Sequence, residues 1–129
     1  MSAREYTRYA SLRDRLIFVS GGSSGIGAEL VRAFAAQGAR VAFCGTKPDG
    51  GAALTEELRA AGHPAPWYGA CDVRDTSAYQ ALLQRLIAEQ GPVQVLVNNA
   101  GRDDRHKMEE VTSEFWDDRL ALNLKHYFF

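Results

Sequence analysis

The run with the clearest chemical use is Ser-Gly-Gly-Ser-Ser-Gly-Ile-Gly, which occupies residues 20–27. It lies between an apolar run and a helical pattern, the context in which a glycine-rich turn binds phosphate groups. Glycines allow the backbone to turn sharply and approach a pyrophosphate, and a helix N-terminus behind them offers free N–H groups and a positive dipole end. The pattern predicts a dinucleotide-binding turn, and its candidate residues are Gly21, Ser23, Ser24, Gly25, Ile26 and Gly27. The alternatives are a plain glycine-rich turn and a P-loop, although the Gly-Lys-Ser/Thr of a P-loop does not follow.

The tip of the second apolar run bears on which dinucleotide is bound. A carboxylate there would bond the ribose hydroxyls of NAD and repel the 2′-phosphate of NADP. That place is held by Gly45, Thr46 and Lys47, so no acid is present and a lysine could pair with a phosphate. The sequence therefore favours NADP, while Asp49 keeps NAD open. Lys47 could equally be a solvated loop charge.

Four short apolar runs, at residues 16–19, 41–44, 67–70 and 93–97, alternate with four helical patterns. The first run is apolar on both faces, as in a strand that is covered on both sides. Candidate helix caps are Asp75 or Thr76 and Thr112 or Ser113. Helical spacing is marked by Ile26, Leu30, Val31 and Phe34; by Leu54, Leu58 and Ala61; by Tyr79, Leu82, Leu83, Leu86 and Ile87; and by Trp116, Leu120, Leu124 and Phe128.

The order β-α-β-α-β-α-β-α predicts an α/β fold, the front half of a Rossmann-type doubly wound parallel sheet with helices on both faces. One domain is expected over residues 12–129, after a polar, loosely held arm of residues 1–11. The 129 residues have a formal net charge of -1, which does not suggest a nucleic-acid or membrane partner. Without an apolar run of ~18 residues or a signal peptide, a cytoplasmic location is expected. The two cysteines, Cys44 and Cys71, are interpreted as buried thiols, and no metal site is expected.

The Gly-x-x-x-Gly-x-Gly spacing resembles that of the short-chain dehydrogenase/reductase family. Three further motifs strengthen the resemblance: Asn-Asn-Ala-Gly at residues 98–101, Cys-Asp-Val at residues 71–73, and Asn123 in a Leu-Asn-Leu context. The resemblance implies that residues 21–27 bind the pyrophosphate and adjoining ribose, and that Asp72 and the backbone of Val73 contact the adenine. It also implies that the ribose side is lined by Asn99, Ala100 and Gly101.

Asn123 is the catalytic residue that the resemblance implies, with the role of holding a water in a proton relay. The alternatives are a structural role for Asn123 and a turn-capping role for Asp72. The charged loop of residues 102–107 resembles that of the aldose-oxidising subgroup, such as the xylose dehydrogenases, and implies a small polyhydroxylated substrate. A loop held by its own salt links is the alternative.

The expected function is therefore hydride transfer between a nicotinamide cofactor and a secondary alcohol or sugar. The family's catalytic Tyr-x-x-x-Lys pair does not occur in the 129 residues. An apolar edge at residues 93–97 and an uncapped aromatic end at residues 127–129 suggest a truncated sequence, inactive alone. The alternative is a non-catalytic dinucleotide-binding module. A homo-oligomer is expected for a full-length chain.

Overall fold

The computed structural model describes residues 7–129, so the first six residues of the expected N-terminal arm lie outside the described residues. Four parallel strands form one sheet in the order β3-β2-β1-β4. Their bounds are β1 Leu16–Val19, β2 Arg40–Gly45, β3 Trp67–Ala70 and β4 Val95–Val97. In the sheet, Phe18 of β1 pairs with Ala42 of β2 on one side and with Leu96 of β4 on the other. The predicted front half of a Rossmann-type sheet is confirmed.

The helices are α1 Gly25–Ala36, α2 Ala52–Ala60, α3 Thr76–Gln90, α4 Ser113–Leu120 and α5 His126–Phe128. A π-helical segment, Ala121–Lys125, joins α4 to α5 without a break. Short 3-10 turns occupy Ala10–Leu12 and Met108–Glu110. The Asp75 carboxylate accepts a hydrogen bond from the Ala78 N–H at the start of α3, and Thr112 caps α4 in the same way. Among the described residues, no helix is long and apolar enough to cross a membrane.

Strand β1 lies at the centre of the protein because both of its faces are covered. Ile17 and Val19 pack in a cluster with α1 and α2, and Leu16 and Phe18 pack in a second cluster with α3. All four side chains of β1 are at most 1% exposed. Coverage of both faces explains why β1 is apolar at every position, as expected for a parallel strand between two helical layers.

The structure corrects several details of the predicted helices. Ile26 is 76% exposed at the start of α1, because it faces the cleft described below rather than the core. Ile87 is 48% exposed on the outer side of α3. Ala61 follows α2 instead of closing its apolar face. Strand β4 begins at Val95, two residues later than the apolar run.

The last helical pattern is also not a buried stripe in the described part of the chain. Its large apolar side chains are all exposed, and they are Trp116, Leu120, Leu124 and Phe128. At the other end of the described chain, the side chain of Gln37 holds the backbone of Thr7 and Tyr9 through two hydrogen bonds, of 2.7 and 2.8 Å. This end of the expected arm therefore contacts the end of α1.

Candidate functional site

A cleft of about 410 Å³ opens where the four parallel strands end, and we call it the strand-end cleft. In open α/β sheets this edge is where ligands bind. Of the predicted site residues, the cleft brings together Gly21, Ser23, Ser24, Gly25, Ile26, Gly27, Gly45, Thr46, Asp72, Val73, Asn99, Ala100 and Gly101. Lys47 and Asn123 do not line it. Sequence reasoning missed three lining residues, Cys44, Cys71 and Leu122, each a direct neighbour of a predicted position.

The glycine-rich turn after β1 packs directly on the turn after β4. Gly21 has a φ of +69°, and a Cβ on it would lie 3.0 Å from the Cα of Ala100. Both the left-handed conformation and the close approach therefore require glycine at this position. Gly22, the next residue, is held by a hydrogen bond of 3.0 Å from its N–H to the carbonyl of Cys44. The turn is thus fixed to β2 and to the end of β4.

Ser20 joins the two turns that form the cleft, and the sequence analysis did not name it as a candidate. Its side chain is fully buried, and its Oγ accepts hydrogen bonds of 3.0 Å from the N–H groups of both Asn99 and Ala100. The Asn99 side chain returns the contact by donating to the carbonyls of Ser20 and Gly21. A buried hydroxyl at a strand end usually has such partners, but these lie 79 and 80 positions away and no local sequence signal identifies them.

The end of β2 presents backbone and small side chains to the cleft rather than an acid. Gly45 is buried against Ser23, where a larger residue would collide with the serine hydroxyl. Thr46 lines the cleft. The carbonyl of Lys47 accepts a hydrogen bond from the Tyr68 hydroxyl, while the lysine residue itself is exposed. The backbone of Lys47 is therefore held in place, one residue beyond the cleft-lining Thr46.

Asp72 lines the cleft and also caps the turn that follows β3. Its carboxylate accepts a hydrogen bond from the Arg74 N–H at 3.0 Å and pairs with the Arg74 guanidinium at 2.6 Å. Mainly through that side-chain hydrogen bond, Arg74 lowers the pKa of Asp72 below its usual value. Asp72 therefore does cap this turn, which was the alternative interpretation of its role. Its carboxylate is held ionised at the edge of the cleft.

An ion-pair chain extends from Asp72 to the charged loop of residues 102–107. Arg74 pairs with Asp118 on α4, and Asp118 pairs with its neighbour Arg119. Arg119 then pairs with Asp104 of the loop, which in turn binds Arg102. Within the loop, the Arg102–Asp104 pair is a salt link of the kind that the alternative interpretation expected, while Arg119 ties Asp104 to α4.

The π-helical segment and the start of α5 each direct one side chain toward the backbone after β4. The Asn123 Oδ1 accepts from the Arg102 N–H at 2.7 Å, and its Nδ2 donates to the Arg102 carbonyl at 3.0 Å. Farther along, the buried His126 contacts the Ala100 carbonyl. Both polar atoms of Asn123 are therefore occupied by backbone, which fixes the loop. Its role in holding a water stays a prediction.

A second, wider cavity of about 570 Å³ lies beyond the charged loop, against α4, and we call it the charged-loop cavity. Polar groups of the loop form one side and apolar residues of α4 the other. Its lining comprises Arg102, Asp103, Asp104, His106, Met108, Val111, Phe115, Trp116, Arg119, Leu120 and Asn123. His106 packs on Phe115 with ring centroids 4.7 Å apart, and the Arg119 guanidinium carbon lies 5.3 Å from the centroid of the same Phe115 ring. Polar donors beside an aromatic face are suited to a polar organic ligand.

The sequence model for the short chain dehydrogenase family matches residues 15–129. The chain belongs to that family. Among its relatives, the probable galactose dehydrogenase of Rhizobium meliloti is 48% identical over 123 residues, which cover 95% of this chain and 48% of the relative. The D-xylose 1-dehydrogenase of Caulobacter vibrioides (strain NA1000 / CB15N) is 46% identical over 122 residues, covering 94% and 47%. The predicted resemblance to the sugar dehydrogenase-like subgroup is confirmed.

Solved structures of the family show the same fold. A metagenomic short-chain oxidoreductase in complex with NADP superposes with a TM-score of 0.84 at 33% identity, covering 92% of this chain and 53% of that one. The F189W actinorhodin polyketide ketoreductase with NADPH gives a TM-score of 0.82 at 36% identity, covering 89% and 44%. The chain therefore spans about half the length of the family members that it matches.

Proposed function

We propose that the protein is an NAD(P)-dependent oxidoreductase that moves a hydride between a nicotinamide cofactor and a secondary alcohol or sugar. The observation that carries the proposal is the strand-end cleft, where Gly21 contacts Ala100 and the predicted residues of four strand ends converge. A bound dinucleotide extends across the ends of several strands, so its site requires residues from several strand ends to lie together.

The shape of the cleft at α1 fits an anionic group. A Cβ on Gly25 would meet no atom within 4 Å, so space is open in front of the helix N-terminus. Ser24 occupies the N-cap position but makes no capping hydrogen bond with its side chain. The first N–H groups of the helix and the Ser24 hydroxyl are therefore suited to bind a pyrophosphate.

Each part of the cleft would then hold a different part of the dinucleotide. Asp72 would accept a hydrogen bond from the adenine amino group, and the backbone of Val73 would contact the ring. Asn99, Ala100 and Gly101 would line the ribose side, and Asn123 would take part in the proton relay. The bound cofactor would supply the hydride chemistry, while the chain's residues bind and orient it.

We propose NADP as the preferred cofactor. Support comes from the absence of a carboxylate at Gly45, Thr46 and Lys47, and from NADP or NADPH in the two structures above. A lysine at the rim would pair with the 2′-phosphate as a point charge. Lys47→Met should weaken NADPH binding about five- to tenfold and leave NADH binding unchanged, which makes NADH the internal control. Equal losses for both cofactors would contradict the proposed phosphate contact.

We propose a sugar or related polyol as the substrate, on the strength of the relatives named galactose and D-xylose dehydrogenase. The charged-loop cavity supports this, because its carboxylates and guanidinium groups can bond hydroxyls. A cytoplasmic homo-oligomer is the expected setting. The exposed apolar residues of α4 would suit a subunit interface.

A second candidate is a dinucleotide-binding module without turnover, since the strand-end cleft could bind a cofactor whether or not a reaction follows. The product of the whole reading frame separates the two candidates. It should be supplied with NADP⁺ or NAD⁺ and with galactose, xylose or a simple secondary alcohol, while formation of reduced nicotinamide is followed by absorbance. Sugar-dependent reduction is the expected result. Saturable cofactor binding with no reduction of any kind would favour the second candidate.

A further inference from the structure

His126 is a buried imidazole that the proposed cofactor contacts do not involve. Its side chain is 3% exposed at the start of α5, directly after the π-helical segment. Two aromatic rings meet it edge-on, Tyr79 at 5.9 Å and Tyr127 at 4.5 Å between centroids. A polar ring buried among aromatic side chains needs a hydrogen-bond partner, or its burial is costly.

The partner of His126 is the carbonyl of Ala100, which lies 3.0 Å from the Nε2 atom. A carbonyl oxygen only accepts, so Nε2 must carry the hydrogen. The other ring nitrogen, Nδ1, is buried and has no partner among the described residues. A hydrogen on Nδ1 would be buried without an acceptor, and the geometry therefore assigns the Nε2–H tautomer.

Ala100 is consequently held by two hydrogen bonds and lies close to the glycine turn. Its N–H donates to the buried Ser20 Oγ, and its carbonyl accepts from His126. Its Cα lies where a Cβ on Gly21 would come within 3.0 Å. Ala100 also lines the strand-end cleft. A shift of its carbonyl would therefore move the wall against which the glycine turn packs.

We propose that His126 is a positioning residue that fixes the Ala100 carbonyl through Nε2–H and thereby sets the wall of the strand-end cleft for the cofactor. This inference rests on the proposed function. His126 acts through Ala100, without touching the cofactor itself.

Three variants test the proposal. His126→Leu removes the donor at similar volume, whereas His126→Gln places an amide N–H near the former Nε2 position. His63→Leu is the matched control, since His63 lies between α2 and β3, away from the cleft. The readouts are NADPH affinity, amide exchange at Asn99 and Ala100, and the nitrogen NMR spectrum of the His126 ring in the unaltered protein.

His126→Leu should weaken NADPH binding about fivefold and speed exchange of the two amides, as expected for the loss of one net hydrogen bond. His126→Gln should restore both to near the original values, and His63→Leu should change neither. A role in apolar packing alone would instead predict no loss of affinity in His126→Leu, because leucine has a similar volume. The ring spectrum should show hydrogen on Nε2.

The proposal is overturned if the ring carries its hydrogen on Nδ1, a result that needs no variant to fold. It is equally overturned if His126→Leu leaves amide exchange at Ala100 unchanged. Failure of the unaltered protein to bind NADPH would instead overturn the proposed function. The tautomer and the exchange rates would then still decide whether His126 fixes the Ala100 carbonyl.

Discussion

The Arg74 guanidinium lies 2.7 Å from the Asp118 carboxylate, and this ion pair connects the end of β3 to α4. The same guanidinium binds Asp72 at the edge of the strand-end cleft. Such a pair between partly exposed groups is weak alone, but here one arginine serves two carboxylates. Arg74 therefore determines both the charge and the position of Asp72.

Arg74→Met should raise the pKa of Asp72 toward its ordinary value of 3.8, because its main hydrogen-bond donor is lost. A lowered native pKa stabilises the fold above the ordinary value, and this stabilisation is lost as the pH falls through the native value. The variant should therefore lose less stability than the parent below about pH 4. Carboxyl NMR titration and acid unfolding measure both effects. Arg59→Met, which removes an exposed pair on α2, is the control.

Gly21→Ala should weaken cofactor binding at least tenfold, because the new methyl group meets Ala100 and the φ of +69° is strained for alanine. Gly62→Ala is the control, with a φ of +84° and no atom within 4 Å of its Cβ. Both variants should lose about 1 kcal/mol of unfolding free energy from the backbone strain. Only the Gly21 variant should lose affinity in a fluorescence titration with NADPH. Equal affinities would show that the contact with Ala100 is irrelevant to binding.

Ser20→Ala should lower the free energy of unfolding by about 2 kcal/mol, since the N–H groups of Asn99 and Ala100 lose their common acceptor. Urea denaturation measures the loss. Ser77→Ala removes an exposed hydroxyl that donates to Asp75, and it should cost much less. If the two variants were equally stable, the buried hydroxyl would not be what ties the end of β1 to the turn after β4.

The sheet and the glycine turn could be predicted because they depend on local patterns. A run of four apolar residues followed by Gly21 to Gly27 specifies a strand, a turn and a helix without reference to the rest of the chain. The position of Ile26 could not be predicted, because an isoleucine at helical spacing is equally compatible with a core and with a cleft wall. The Arg74–Asp118 pair was missed as well. It joins residues far apart in sequence, and only the packing of α4 brings them together.

The π-helical segment is another feature that periodicity did not reveal. The regular spacing of Trp116, Leu120 and Leu124 predicts a continuous α-helix, yet Ala121–Lys125 widens the turn. Hydrogen bonds of Asn123 and His126 to the chain after β4 accompany this widening. The polar side chains of Asn123 and His126 find their hydrogen-bond partners in a distant part of the chain. The spacing of apolar residues along one helix does not encode such contacts.

The two cysteines should be unreactive in the folded protein. Burial raises the pKa of the Cys44 thiol to about 11, and burial also raises the pKa of Cys71. The thiolate is the reactive form, so a colorimetric thiol reagent at neutral pH should label neither quickly, and both after denaturation. Bound NADP should slow any labelling of Cys71 further, since that residue lines the cleft. One thiol reacting as fast as free cysteine would contradict the described packing.

An amide NMR titration of the 129-residue chain with NADP⁺ tests most directly whether the strand-end cleft binds a nicotinamide dinucleotide. We expect saturable shifts at Gly21, Gly25, Asn99 and Ala100, with smaller ones at Asp72. Amides around Phe115 and Trp116, in the charged-loop cavity, should change least. No saturable shift at the glycine turn, or shifts confined to the charged-loop cavity, would contradict the assignment of the cofactor to the strand-end cleft.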